Sequence, residues 1–150
     1  MNNEKAGKHL QLERNSAKLF SKDRSTQVGA RIIGAAGEVR STGYNGAPRG
    51  CRADEPEDPR TMRPEKYYWF EHAERNAIYN AARAGTATLG CTLLITHPPC
   101  MDCARAAVQA GIAKVMWEAP TDPRYNERWG EHMDRVLELF TECGVAWEIL

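Results

Sequence analysis

The stretch FEHAERNAIYN, Phe70 to Asn80, sets a histidine and a glutamate two residues apart and then turns to Ala, Ile and Asn. On a regular helix, neighbours on one face stand three or four apart, so His72 and Glu74 are no ordinary surface pair. The spacing fits two side chains that leave a helix's first turn toward something at its end. The pattern predicts a helix from His72 to about Ala84, ended by Gly85.

A partner for that helix end comes in THPPCMDCARAAVQAG, Thr96 to Gly111. Cys100 and Cys103 form a Cys-x-x-Cys preceded by Pro98 and Pro99, at the entry of a second predicted helix that Gly111 stops. A helix's first turn exposes unpaired N–H groups and the positive end of its dipole, which favour thiolates. His72, Cys100 and Cys103 together supply three zinc ligands and leave a fourth position open, the pattern of a catalytic site. A closed structural site would need a fourth ligand, for which His97 and Cys91 are the candidates. Glu74 argues for the open site, because structural zinc has no use for it. A carboxylate beside the open position can take a proton from water and deliver it to a substrate nitrogen.

Working outward, Leu12, Ser16, Leu19 and Phe20 fit one amphipathic helix from about His9 to Ser21. VGARIIG and EVRSTGYN read as two antiparallel edge strands joined by a hairpin turn at AAG. CRADEPEDPRTMRPEK, with Pro56, Pro59 and Pro64, reads as a solvated loop. CTLLIT and AKVMWEA are strands on either side of the Cys-x-x-Cys helix. NERWGEHMDRVLELFTECG is a final helix, and VAWEI a last strand. Helices alternate with strands from His72 onward, which predicts a mixed sheet with helices on its faces. In GYNGAP, Gly43 and Gly46 suggest a strand running into a tight turn, with positive φ or close approach.

The 150 residues suit one domain with a substantial core. Lys+Arg and Asp+Glu both number 20, without the basic excess that grips long nucleic acid, so a small-molecule partner is expected. Met1 to Asn15 has no apolar signal segment and no stretch approaches a membrane span, which makes the cytoplasm the expected compartment and a membrane no expected partner. Five cysteines without a secretion signal suggest reduced thiols or a metal site. Cys51, Cys91 and Cys143 are expected in core or loop, His9 and His132 on helix surfaces. Trp69, Trp117, Trp129 and Trp147 are expected in the core or at subunit contacts.

His-x-Glu followed by Pro-Cys-x-x-Cys is the zinc deaminase signature. SKDRSTQVGA, STGYNGAPRGC, HAERNAI and PPCMDCARAAVQAGIAKV together resemble one branch, the deoxycytidylate (dCMP) deaminases, over roughly Ser16 to Val115. The resemblance implies a three-layer α/β/α cytidine-deaminase-like fold with a central mixed five-stranded sheet, as one zinc-dependent deaminase domain over residues 1–150. It implies hydrolysis of dCMP to dUMP and ammonia, which supplies dUMP for thymidylate synthesis, with one catalytic Zn²⁺ per chain. It further implies a homo-hexamer and effector sites for dCTP and dTTP, with Mg²⁺ accompanying a regulatory nucleotide. Residue by residue, Glu74 is the proton shuttle, and Ala73 places its backbone N–H near the ring. Asn45 contacts the sugar hydroxyl. Arg24, beside Ser25 and Thr26, meets the phosphate, and Tyr125 covers the base edge. A second metal is not expected, because the loop after Cys51 offers no other Cys or His before His72. The rivals are a tRNA adenosine deaminase, a free-nucleoside cytidine deaminase, a riboflavin-pathway deaminase and a non-catalytic zinc module.

Overall fold

Five strands form one mixed sheet in a computed structural model that describes residues 1–53, 55 and 57–150; Asp54 and the loop's Pro56 lie outside the described residues. The strands are β1 (Gly29–Ile33), β2 (Val39–Tyr44), β3 (Thr92–Ile95), β4 (Lys114–Trp117) and β5 (Ala146–Ile149). Their order across the sheet is β2-β1-β3-β4-β5. β1 pairs antiparallel with both β2 and β3, while β3, β4 and β5 run parallel. The helices are α1 (Asn3–Phe20), α2 (Lys66–Trp69), α3 (Ala73–Arg83), α4 (Met101–Gln109) and α5 (Tyr125–Glu142). No helix among the described residues is long and apolar enough to cross a membrane.

Side chains alternate across each strand and so divide the core in two. Ala30, Ile32, Leu93, Ile95, Val115 and Trp117 face α3, α4 and α5. Ile33, Leu94 and Met116 face α1 through Ala6 and Leu10. The result is the expected three-layer α/β/α arrangement, with α1 alone on one face.

Helix α1 corrects the sequence reading in both length and phase. It begins at Asn3, because the Asn2 side chain accepts a hydrogen bond from the Lys5 N–H at 2.9 Å and caps the first turn. Its buried face carries Ala6, Leu10, Glu13 and Ala17, whereas Leu12, Leu19 and Phe20 are more than half exposed. The larger residues misled the reading: small alanines let the helix lie close to the sheet, and buried Glu13 is neutralised by Arg31 at 2.6 Å. His9 likewise leaves the bare-surface role, its Nδ1 lying 3.0 Å from the Arg31 guanidinium.

The proline-rich segment is more ordered than a solvated loop. Pro59–Thr61 forms a 3₁₀ turn capped by the Asp58 carboxylate, and Lys66 opens α2. Trp117 is buried as expected for the core, while Trp69, Trp129 and Trp147 are exposed; Cys91 is buried, Cys51 half-buried and Cys143 exposed.

Helix α3 explains its own composition. Ala73, Ala77 and Ala81 recur every fourth residue and form its buried face. Asn76 and Asn80 donate to the backbone carbonyls of Tyr44 and Thr42 at 2.8 and 2.7 Å, and so fasten the helix along β2. Contact is close enough that a Cβ on Gly43 would stand 2.4 Å from the Ala77 nitrogen. Close approach is therefore the reason for Gly43, whose φ is not positive. Gly46 shows neither feature, and a Cβ there would enter open space.

Candidate active site

His72 and Cys100 stand one residue before the helices they were expected to begin. Each is the N-cap, with extended backbone (φ −77°, ψ 153° and φ −81°, ψ 168°), and neither makes a side-chain capping bond. Their carbonyls accept the first helical bonds, from Asn76 at 2.9 Å and Ala104 at 2.8 Å, while imidazole and thiol stay free to point off the helix end. This answers the two-residue spacing. His72 leaves the extended cap and Glu74 the first turn, so both stand at the N-terminal end of α3.

Strand β3 delivers the second helix to that point. The Gly29 N–H donates to Thr96 Oγ1 and the Thr96 N–H to the Gly29 carbonyl, both at 3.0 Å, which fixes the chain where β3 ends. Pro98 and Pro99 then carry it into Cys100 at the carboxyl end of a parallel strand, where open α/β sheets place their ligands. On the other side, Gly46 and Glu71 form an isolated antiparallel bridge, with N–H···O distances of 3.1 and 2.8 Å. That bridge lays the GYNGAP loop beside His72.

The ligand atoms of His72, Cys100 and Cys103 lie within 4.8 Å of one another. Both sulfurs are 3.5 Å from His72 Nδ1. One imidazole nitrogen and two thiols that converge from two helix N-termini, with no acidic oxygen among them, fit zinc rather than a hard cation. Among the described residues no fourth His, Cys, Asp or Glu joins the group. The thiols differ in electrostatics. A hydrogen bond from Cys103 holds Cys100 down at about 3 against the opposing effect of burial, and keeping that proton pushes Cys103 up. The hydrogen bond with Cys100 also raises His72.

Glu74 is buried, at 3% exposure. Burial raises its pKa, opposed by backbone hydrogen bonding, by His72 and by a bond from Cys103. A carboxyl so placed holds a proton more readily than one in water, as an acid–base group requires. Arg75, next in sequence, is a residue that no local sequence pattern marks. It pairs with Glu71, and its guanidinium faces the cysteine pair.

The remaining expected residues divide into those at the cluster and those away from it. Ala73 is fully buried as the first residue of α3. Tyr125 opens α5 half-buried, and its pKa is raised by burial and by Cys100, whose charge it faces. Its hydroxyl donates to Met133 Sδ at 3.8 Å. The N-terminal part of α5 is held there by His132, whose Nε2 accepts the Met101 N–H at 3.0 Å. His132 was expected to be a surface residue; it instead ties α5 to the first turn of α4. Arg24 is half-exposed with its guanidinium 4.0 Å from Glu57, and no hydrogen bond or ion pair among the described residues ties it to the cluster. The Ser25 hydroxyl, expected to help with phosphate, is engaged by Asp23 and Lys66.

Asn45 is buried and its amide is fully employed. Oδ1 accepts from Ser21 Oγ at 2.8 Å and the Val28 N–H at 2.9 Å, while Nδ2 donates to the Thr26 carbonyl at 2.8 Å and to Asp23 Oδ2 at 3.3 Å. Two acceptors and two donors exhaust an amide. Beside this loop a cleft of about 120 Å³ is lined by Tyr44, Ala47, Arg49, Asn76 and Asn80.

Comparison with known proteins agrees with this geometry. The chain is 39% identical over 126 residues to the uncharacterized deaminase in the luxG 3′ region of Aliivibrio fischeri, covering 84% of this chain and 80% of that one. It is 39% identical over 130 residues to human deoxycytidylate deaminase, covering 85% of this chain and 69% of the human protein. The crystal structure of the cyanophage S-TIM5 dCMP deaminase in apo form superposes with a TM-score of 0.75 at 25% identity, over the whole of both chains. Residues 3–119 match the cytidine and deoxycytidylate deaminase zinc-binding region, and it is to that deaminase family that the chain belongs.

Proposed function

We propose that the chain hydrolyses dCMP to dUMP and ammonia with one zinc held by His72, Cys100 and Cys103, and so supplies dUMP for thymidylate synthesis. The observation that carries the reading is the convergence of that N/S/S set beside the buried Glu74. The choice of dCMP is supported by the likeness to human deoxycytidylate deaminase across 85% of this chain. When bound, zinc supplies Lewis acidity and lowers the pKa of water at its open position.

The chain's own residues do the proton work. Attack on C4 of cytosine requires water to lose a proton, N3 to gain one and the departing amine to gain another. Glu74 takes the first and returns it to N3, then passes the next to the leaving nitrogen as ammonia departs. Its raised pKa suits both directions of transfer. Ala73, at the head of α3, presents backbone to the ring without a bulky side chain. Tyr125 closes the base edge from α5, and Arg24 stays the proposed phosphate contact, on the strength of the resemblance. For Asn45 to meet the sugar hydroxyl, Nδ2 must release Asp23, the longest of its four bonds at 3.3 Å. A homo-hexamer, cytoplasmic residence and regulation by dCTP or dTTP with Mg²⁺ complete the proposal, supported by the resemblance.

Ammonia release from dCMP, dCTP, deoxycytidine and CMP, with a tRNA adenosine substrate in parallel, tests it. The expected result is the highest kcat/KM for dCMP. Equal values for nucleotide and nucleoside, or turnover confined to tRNA, would overturn it.

A further inference from the structure

Beneath the GYNGAP loop lies a buried polar network that the reaction itself does not use. Lys66, Asp23 and Asn45 are 6%, 5% and 8% exposed. The Lys66 ammonium donates to Asp23 Oδ2 and to Ser25 Oγ, each at 2.6 Å. Asp23 Oδ1 accepts from the Ser25 N–H and hydroxyl and from the Thr26 N–H, at 2.8, 2.9 and 3.1 Å. Among the described residues Asp23 Oδ2 has two side-chain partners, Lys66 at 2.6 Å and Asn45 Nδ2 at 3.3 Å. A buried charge that loses its partner is far more costly than one kept paired.

We infer that Lys66 is a positioning residue: by satisfying Asp23 it leaves the Asn45 Nδ2 donor free to turn from Asp23 to the sugar hydroxyl of the nucleotide. The inference rests on the proposed dCMP reaction and on Asn45 as its sugar contact. With Lys66 present, releasing the 3.3 Å bond leaves Asp23 still held by an ammonium. Without Lys66, Asn45 is the remaining side-chain donor to Oδ2, and turning to substrate strands a buried carboxylate. Lys66 also opens the short helix α2, which ends at Trp69, two residues before Glu71, the residue bridged to Gly46, so it sits where the loop and the approach to His72 meet.

The test compares wild type, Lys66→Met and Lys66→Met/Asp23→Asn, all zinc-loaded, on dCMP and on the dideoxy analogue that lacks the 3′-hydroxyl. In wild type the analogue has the higher KM, by the value of the hydrogen bond it cannot make. Lys66→Met should raise KM for dCMP roughly tenfold, the scale of one lost hydrogen bond, with KM for the analogue, kcat and zinc content nearly unchanged. Asp23→Asn in that background keeps the Oδ1 acceptor but removes the carboxylate oxygen that competes for Asn45. The ratio of the two KM values should then return to within about threefold of wild type, the limit of a minor contact change. A merely structural role would lower thermal stability or active fraction without collapsing that ratio. An unchanged ratio in Lys66→Met overturns the inference. If Lys66→Met does not fold, the double variant decides alone, and a collapsed ratio there overturns it. A wild type inert on dCMP would instead sink the substrate reading before any variant is made.

Discussion

Replacing Glu74 by glutamine removes one ionisable proton from the site and little else. The amide keeps the length and shape of the side chain, so the 3%-exposed position stays filled and Cys103 keeps a hydrogen-bond acceptor. His72, Cys100 and Cys103 are untouched, so zinc content and dCMP binding should stay near wild type. A positioned acid–base group contributes on the order of 10²–10⁴-fold, and in the proposed reaction Glu74 acts in both the addition and the elimination. At about 1.4 kcal/mol per factor of ten, the expected loss in kcat corresponds to roughly 3–5.5 kcal/mol or more. Glu74→Asp sharpens the argument. Helix α3 cannot slide to compensate for the missing methylene, because Gly43 already brings β2 against its backbone. A retreat of about 1 Å is enough to cost on the order of 10²-fold. Single-turnover deamination and metal analysis on the same preparation measure both variants. A Glu74→Gln enzyme within roughly tenfold of wild type, well short of the acid–base range, would mean that the proton travels by another route.

Three further outcomes are expected. Cys103→Ala should lose most of its zinc on purification, and full occupancy by metal analysis would show the ligand set to be wrong. Gly43→Ala sets a Cβ 2.4 Å from the Ala77 nitrogen and 2.5 Å from the Ala73 carbonyl oxygen, both backbone atoms. Overpacking of that kind costs about 1–3 kcal/mol, so calorimetry should show Tm lower by roughly 3–10 °C, and a shift below about 1 °C would refute the close approach. Burial pushes the Asp23 carboxyl up, but hydrogen bonds from Lys66 and Ser25 outweigh it and hold its pKa below the ordinary 3.8. A depressed folded-state pKa gives stability that is present above the unfolded value and lost as pH falls through the folded one. Below about pH 4, near the unfolded aspartate pKa, wild-type Tm should therefore fall more steeply than that of Asp23→Asn, and parallel curves would refute the pairing.

The sequence was most readable where chemistry and local structure share a few adjacent residues. His72, Ala73 and Glu74 announce both a helix end and a metal site, and Cys100 with Cys103 repeats the message. The strands were readable for a similar reason, since short apolar runs bounded by turns need no distant partner to be recognised. Helix α1 was misread in phase because its buried face is small and partly charged, and Glu13 can be buried only with Arg31, eighteen residues later. Lys66 and His132 were missed for the same physical reason. Each acts through a partner far along the chain, Asp23 in one case and the Met101 N–H in the other, and no local pattern marks such a bond.

The two helix caps show why the site stands where local rules are broken. An N-cap position ordinarily takes Ser, Thr, Asp or Asn, whose oxygen satisfies an orphan N–H at a gain of about 1 kcal/mol. Here the two caps are His72 and Cys100, and neither makes that bond. Each helix forgoes the gain, and each turns the positive end of its dipole toward the same point, with the Met101 N–H of α4 taken by His132. Those dipole ends favour thiolate, the form in which cysteine binds metal. Glu74, in the first turn of α3, feels the same dipole but is buried, so the helix favours its charge while desolvation resists it. The forgone caps and the unusual carboxyl are therefore one arrangement: the helix ends supply the field, and in the proposed reading the cysteines and histidine hold the metal while Glu74 moves the proton.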